Sequence, residues 1–435
     1  MWSEACEVTG AGGREVTVER DVYVTGIGLI TCLGVGTAEN WKKLCAGVSG
    51  IGLVRRFDTT GCPTRIGGEI PDEFSALFAE RFPKRTQKHT APFSQLSLLA
   101  TALALEDAGL RLEAEEDRSS IGICVGTGAG GISYWEGVLG AKGKPYREAL
   151  DTAESLAVIK YMANAPAASL SLHYGVEGPS LTVSSSCSSG AHAVCYAHDL
   201  IRMGRVEVMI AGGVDALVSQ AALLSFGRLQ ALSERNGDPA RASRPFDKQR
   251  DGFVLGDGAG FMVLESAEHC RRRDARRYAR ICGYAMTSEA SHMVHPSPNG
   301  AKMADTMRRA LADARIAADE VDYISAHGTS TVLNDKYETA AVKQVFGPHA
   351  SQISISSQKS MMGHTVGAAG AIEAAVTALT VANDLVSPTI NYETPDPDCD
   401  LDYTPNAARP RTVRVAMSNS FGFGGHNFSV ILSKP

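Results

Sequence analysis

The chain has 435 residues, 44% hydrophobic and 21% charged, with a formal net charge of −6. That length buries a core sized for two domains or one double unit, and the net-acidic body excludes nucleic acid as the main partner. Ten scattered cysteines with no CxxC pair exclude a disulfide framework and a structural zinc site, and point to a reducing, cytoplasmic setting. Residues 1–20 read as a polar, glycine-containing tail without a signal-peptide core. No apolar run of membrane-spanning length is expected, so no membrane is either.

In chain order, VYVTGIGLIT from Val22 reads as a buried strand, and Thr37 caps a short helix ending near Ala46. Residues 51–75 are loop-like and RFPKRTQK is a basic cluster. An amphipathic helix then covers 93–108, with Gly109 at its end. A strand over 120–125 leads into GTGAGG, and 133–175 is a mostly helical excursion. Leu181-Thr182-Val183 suits a buried strand, followed by a serine-rich turn and a helix that Gly204 stops. Residues 206–211 form a strand, and SERNGDPARASRPFDKQRDG is a polar loop. GAGFMVLE is a further strand, and RRRDARRYAR is a charged seam before Ile281.

From Ile281 onward the chain repeats its first half in order. LSLLATALALEDAG with SSIGICVGTGAGG returns as MADTMRRALADAR with VDYISAHGTST. LTVSSSCSSGAHAV returns as ISISSQKSMMGHTVGAAGAIEAAVTAL, and GFVLGDGAGFMVLE as SFGFGGHNFSVIL. The expected fold is α/β: two copies of one unit, spanning 21–275 and 276–435, with two stacked sheets and helices between and outside. The site belongs where the loops of the two copies meet.

Cys187 stands in SSSCSSG at a strand-to-helix junction, facing the free N–H groups and positive end of a helix. Both favour thiolate over thiol, and the same N–H groups can hold an oxyanion. The plainer reading is a small buried cysteine in a serine-rich turn. The second copy offers His327 in AHGTST and His364 in KSMMGH, each after a strand and so at a strand's carboxyl end, with Lys359 in the turn of His364.

SSSCSSG, AHGTST with Asp335 and Glu338 behind it, KSMMGHTVGAAG, RPFDKQRDGFVLGDGAG and NSFGFGGHN, in that set, resemble the motifs of elongating β-ketoacyl-acyl-carrier-protein synthases. That family includes the ketosynthase subunits of type II polyketide systems, and the likeness spans residues 21–433. The resemblance implies a thiolase-type duplicated αβαβα fold and decarboxylative Claisen condensation of malonyl-carrier protein with a Cys-bound acyl chain, in fatty-acid or polyketide elongation. It implies no organic cofactor, and no residue is assigned as a metal ligand. It also implies an acyl carrier protein as partner, in a homodimer or a heterodimer with a related subunit.

Carried over by position, Cys187 is the nucleophile, and the N–H groups of Cys187 and Phe423 form the oxyanion hole. His327 and His364 donate to the malonyl thioester, and His364 acts as a neutral Nε–H. Lys359, paired with Glu373 or Glu338, orients the histidines. Thr329 and Thr331 meet the phosphopantetheine arm, and Phe421 and Phe423 gate the acyl pocket. A non-catalytic chain-length partner would lack Cys187, and an initiating synthase would lack the second histidine. The chain departs from the pattern in having Ser325 for Asn, at a place where Ser418, Asn419 and Glu373 can complete a monovalent cation site. Gln358 and Met362 replace Thr, His426 replaces another, and Ala129 stands where a bulkier residue lines the acyl pocket. A roomier pocket is the expectation.

Rival signals are weaker. Gly126-Thr-Gly128-Ala-Gly130-Gly131, with Asp151 beyond it, fits a dinucleotide loop and a nicotinamide-dependent oxidoreductase, but ISYWEGVLG is a poor helix start. His192, Cys195 and His198 are spread around a helix, and His292 with His295 suits an entrance loop. Lys84, Arg85, Lys88, Arg202 and Arg205 are candidates for docking an acidic carrier protein, against the alternative of a solvated face.

Overall fold

The computed structural model describes residues 20–140, 146–151 and 153–435; the tail expected over 1–20 lies outside them apart from Arg20. Ten strands carry the sheet: β1 (Val22–Thr31), β2 (Ile121–Gly126), β3 (Ser180–Val183), β4 (Val208–Asp215), β5 (Gly258–Ser266), β6 (Ala279–Ser288), β7 (Tyr323–Ser325), β8 (Ser354–Ser356), β9 (Val415–Gly422) and β10 (His426–Ser433). A short strand, Gly34–Val35, adds to the end of β1.

The strand order is β8-β7-β9-β10-β6-β1-β5-β4-β2-β3. Each half therefore runs first-fifth-fourth-second-third. The senses match too: β2 is parallel to β3 and β4, as β7 is to β8 and β9, and the remaining pairs are antiparallel. The duplication read from motif order is thus a duplication of topology. Two details differ from expectation. The half-sheets are one hydrogen-bonded surface, joined where Val22–Val24 meets Ala279–Ile281. And GFVLGD is no strand: β5 pairs with β1 on one side and on the other with β4, which runs on through GGVD to Asp215.

Five helices build the layers: α1 (Pro92–Ala108), α2 (Ser189–Arg202), α3 (Ala301–Ala314), α4 (Val332–Phe346) and α5 (Ala369–Asn383). Helices α2 and α5 pack on each other and on strands of both halves, so they form the middle layer. That is why α5 is buried all round, with Ala, Val, Ile and Leu on every face. Contrary to expectation, one stretch here, Val366–Asn383, is long and apolar enough to cross a membrane; it is 89% buried inside the protein. Helix α1 covers β1 and β5 on one outer face, and α3 covers β6 and β10 on the other. Gly26 and Gly28 of β1 allow the approach of α1, since a Cβ at either would lie within 2.2 Å of a helix carbonyl oxygen. Gly109 closes α1 in the left-handed conformation, φ 62°, as its position predicts.

Strand β3, expected to be buried, is the exposed edge of the sheet because it pairs only with β2. Ile132, and Val158, Ile159 and Met162 of the helical excursion, are exposed.

Candidate active site

Two turns at equivalent places in the two copies meet. In the first, β3 runs into the 3-10 turn Ser186–Ser188 and then α2, which puts Cys187 at the mouth of the helix. Ser186, at φ 56°, holds the sharp bend. In the second, β8 runs through Lys359–Met362 and His364 into α5. His327 comes directly after β7. The Cys187 Sγ lies 3.0 Å from His364 Nε2, and the rings of His327 and His364 stand edge to face at 5.5 Å. The three reactive atoms fall within 4.8 Å of one another. All three residues line one cavity of about 260 Å³, together with Thr329, Thr331, Phe421, Phe423 and Phe253.

Hydrogen bonds behind the rings fix their tautomers. The Val366 N–H donates to His364 Nδ1 at 3.3 Å, and Lys359 Nζ lies 3.4 Å from His327 Nδ1. Each ring therefore carries its proton on Nε2, aimed into the cavity. A metal would need the lone pair at that nitrogen and a ring N–H donated outward. Thiol and imidazoles together thus suit covalent capture and charge stabilisation, and do not suit a metal. Both histidines are buried, and their basicity is driven well below the ordinary value, first by burial and then by the Lys359 charge. They are neutral donors at physiological pH.

Lys359 is paired with Glu373 and also donates to the His327 carbonyl oxygen at 2.7 Å. The choice left open in the sequence thus falls on Glu373. Burial pushes the Glu373 carboxyl up to about 7, against the pull of Lys359. Glu338 instead accepts the backbone N–H groups of His327 and Gly328, each at 2.8 Å. Asp335 does not reach the histidines: it accepts from the Phe246 N–H and pairs with Arg250, bracing the RPFDKQRDG loop. Gln358 is fully buried, accepting from Ser325 and donating to Tyr323.

The thiolate expectation needs correction. Burial, which leaves Cys187 only 5% exposed, pushes its thiol above the ordinary value. Hydrogen bonds from Ser186 and the Phe423 N–H, with the charge of Lys359, offset this only in part. A helix terminus is legible in sequence; the desolvation of the sulfur is not. The Phe423 N–H nonetheless reaches the sulfur, and the Cys187 N–H is beside Gly422, so the two amides assigned to an oxyanion hole share one corner.

Behind the sulfur lies a separate apolar cluster: Cys187 with Leu217, Val218, Leu223, Phe253 and Val366, flanked by Ala129, Phe226 and Phe423. Phe423 stacks on Phe226 at 6.5 Å, and Phe421 lies edge-on to His327 at 5.9 Å. The Thr329 and Thr331 hydroxyls are 2.9 Å apart on the cavity wall. The loop of Phe423 turns through Gly424 and Gly425, at φ 83° and 78°, and Gly424 N–H donates to the Met293 carbonyl at 2.7 Å. His295, stacked on His292, lines the entrance.

Other expectations fall away. The GTGAGG amides are consumed internally, by Asp215, Thr127 and the Tyr161 carbonyl, so no phosphate cradle exists. His192 meets Ser185, and His198 meets Asp199. Arg202 and Arg205 stand at the far end of α2, about 20 Å from Cys187 at 1.5 Å per residue, and Arg202 pairs with Asp313. Lys84, Arg85 and Lys88 are exposed together on the short helix Lys84–His89, outside the cavity lining. Sequence reasoning misses Phe253 and Asp215: Phe253 stands within a motif, while Asp215 shows only as one polar residue ending an apolar strand.

A buried thiol facing two neutral imidazole donors, on a duplicated layered sheet, defines an acyl-transferring enzyme of the thiolase-type fold. The chain belongs to the β-ketoacyl synthase family: the N-terminal domain model of that family matches residues 19–269 and the C-terminal domain model residues 278–393. It is 38% identical to 3-oxoacyl-[acyl-carrier-protein] synthase 2 of Coxiella burnetii, over 96% of this chain and 99% of that one. It is equally 38% identical to the tetracenomycin polyketide synthase ketoacyl synthase alpha subunit of Streptomyces glaucescens, over 96% and 98%. Among solved structures, the ishigamide ketosynthase/chain length factor superposes with a TM-score of 0.88 at 35% identity, covering 96% of this chain and all of that one. A type II polyketide acyl-carrier protein in complex with its ketosynthase gives 0.87 at 34%, with the same coverage.

Proposed function

We propose that the chain catalyses decarboxylative condensation of malonyl-carrier protein with an acyl chain held on Cys187, in fatty-acid or type II polyketide elongation. The 3.0 Å approach of Cys187 Sγ to His364 Nε2, with His327 beside it, carries this reading. In the first step the sulfur attacks the acyl thioester; the carrier thiol leaves and takes the Cys187 proton. In the second, malonyl thioester loses CO2, and the electron pair passes to an enolate whose oxygen accepts from both Nε2–H groups. The carbanion attacks the acyl-Cys187 carbonyl, and a carbon–carbon bond forms. The oxyanion sits between the Cys187 and Phe423 amides, and Cys187 departs and recovers a proton. Splitting the reaction at the thioester makes two accessible steps of one difficult step. Lys359, held by Glu373, keeps His327 in its donor tautomer.

No organic cofactor takes part, and the setting is cytoplasmic. The acyl carrier protein brings both substrates, with Thr329 and Thr331 meeting its phosphopantetheine arm, and Lys84, Arg85 and Lys88 offering basic contacts. The unpaired edge of β3 receives a second copy or a related subunit. Retention of the thiol favours this over a non-catalytic partner role.

The test is incubation with acyl- and malonyl-carrier protein. An acyl adduct on Cys187 in intact-mass spectra, and a β-ketoacyl product two carbons longer than the primer, are expected. Absence of both overturns the reading.

A further inference from the structure

Asp215 ends β4 fully buried beside the site, and no Lys or Arg is paired with it among the described residues. Its carboxylate accepts four donors from both copies of the fold. Thr127 Oγ1 lies at 2.7 Å, Gly128 N at 3.0 Å and Ala129 N at 3.3 Å on the first copy; Gly367 N lies at 2.6 Å on the second. The backbones meet so closely that a Cβ on Gly367 would lie 2.1 Å from Gly128 N, and one on Gly128 would lie 2.8 Å from the Val366 side chain.

Between Gly367 and His364 stands Val366, at φ 45°. A β-branched residue enters this left-handed region only under restraint. The restraint has a purpose: in that conformation the Val366 N–H donates to His364 Nδ1. The next amide, Gly367 N–H, is the one Asp215 holds. On its other side the same carboxylate holds the amide of Ala129, which flanks the apolar cluster of Cys187.

We infer that Asp215 is a positioning residue for the condensation reaction, clamping the strained Val366 turn so that His364 keeps its proton on Nε2, and tying that turn to the Thr127–Gly128–Ala129 wall behind the acyl thioester. One carboxylate then spans the pocket that receives the acyl chain and the imidazole that acts on the malonyl group. This rests on the proposed condensation, and it assigns Asp215 to the second step more than to the first.

The experiment uses the full-length Asp215→Asn variant. Acylation of Cys187 by an acetyl thioester is followed by intact mass, CO2 release from malonyl thioester by rate, and the His364 tautomer by 15N shifts of the ring. Misplacing a reacting group by an ångström costs about 100-fold, so decarboxylation is expected to fall at least about tenfold while acylation changes by less than about threefold. The His364 signals should show loss of the single Nε2–H form. Adding Val366→Gly, which adopts positive φ without restraint, should recover much of the lost decarboxylation. If Asp215→Asn does not fold, Asp215→Glu should give the same split at smaller size. An equal loss in both steps, or an unchanged tautomer, overturns the inference. Wild-type protein that performs neither step would instead overturn the condensation reading, while the tautomer measurement still tests the clamp.

Discussion

Cys187 and His364 touch across a symmetry of the chain: each occupies the turn after the third strand of its own copy, and their reactive atoms are 3.0 Å apart. Nucleophile and donor therefore come from equivalent backbone positions with different side chains. Each can be removed without moving the other's support.

Cys187→Ala should abolish the acyl adduct while leaving malonyl decarboxylation measurable, because both imidazoles remain. His364→Ala or His327→Ala should do the reverse. Loss of one preorganised donor costs about 100- to 1,000-fold in rate, and CO2 release against adduct formation separates the two classes.

Two opposite shifts set the pH dependence. Burial holds His327 and His364 well below their ordinary value, so they stay neutral as the pH falls through 6.5, and decarboxylation should show no step there. Burial pushes the Cys187 thiol above 9.0, so the thiolate fraction should rise about tenfold per pH unit through neutrality. Iodoacetamide alkylation rates from pH 6 to 9 check the second, and a plateau near pH 7 would contradict it.

The Lys359–Glu373 pair is fully buried. Lys359→Met leaves Glu373 without its partner in the core. Burial already pushes that carboxyl up to about 7 against the pull of Lys359, so it takes up a proton and the cost stays below the ~3–5 kcal/mol of a stranded charge. Lys359→Met with Glu373→Gln should regain much of that stability in thermal unfolding without regaining activity, since the donor to His327 Nδ1 is still missing.

Ala129 packs against the apolar cluster that contains Cys187, and Ala129→Phe tests whether that cluster opens to hold the acyl chain. Acyl donors of increasing length should then acylate progressively more slowly than in wild type, with acetyl transfer least affected. A uniform loss across lengths would show that the space does not hold the chain.

The duplication was legible because the glycine and serine turns recur in one order, and turns report strand ends. Cys187, His327 and His364 were legible because each stands in the turn that follows a strand. Burial was not. It reversed the tilt of Cys187 towards thiolate and made a clamp of Asp215, which in sequence is one acid after AGGV; strand pairing was not legible either, and it left β3 an edge. Helix length also hid direction: Arg202 and Arg205 lie close to Cys187 in number and a whole helix away in space.

The matching strand order of the two copies has a consequence for asymmetry. A single copy paired with itself would set like turn against like turn, with thiol facing thiol or imidazole facing imidazole. With both copies in one polypeptide, SSSCSSG and KSMMGH carry different side chains, so the division of labour at the centre is written in those two short segments, while the scaffold beneath them repeats one plan.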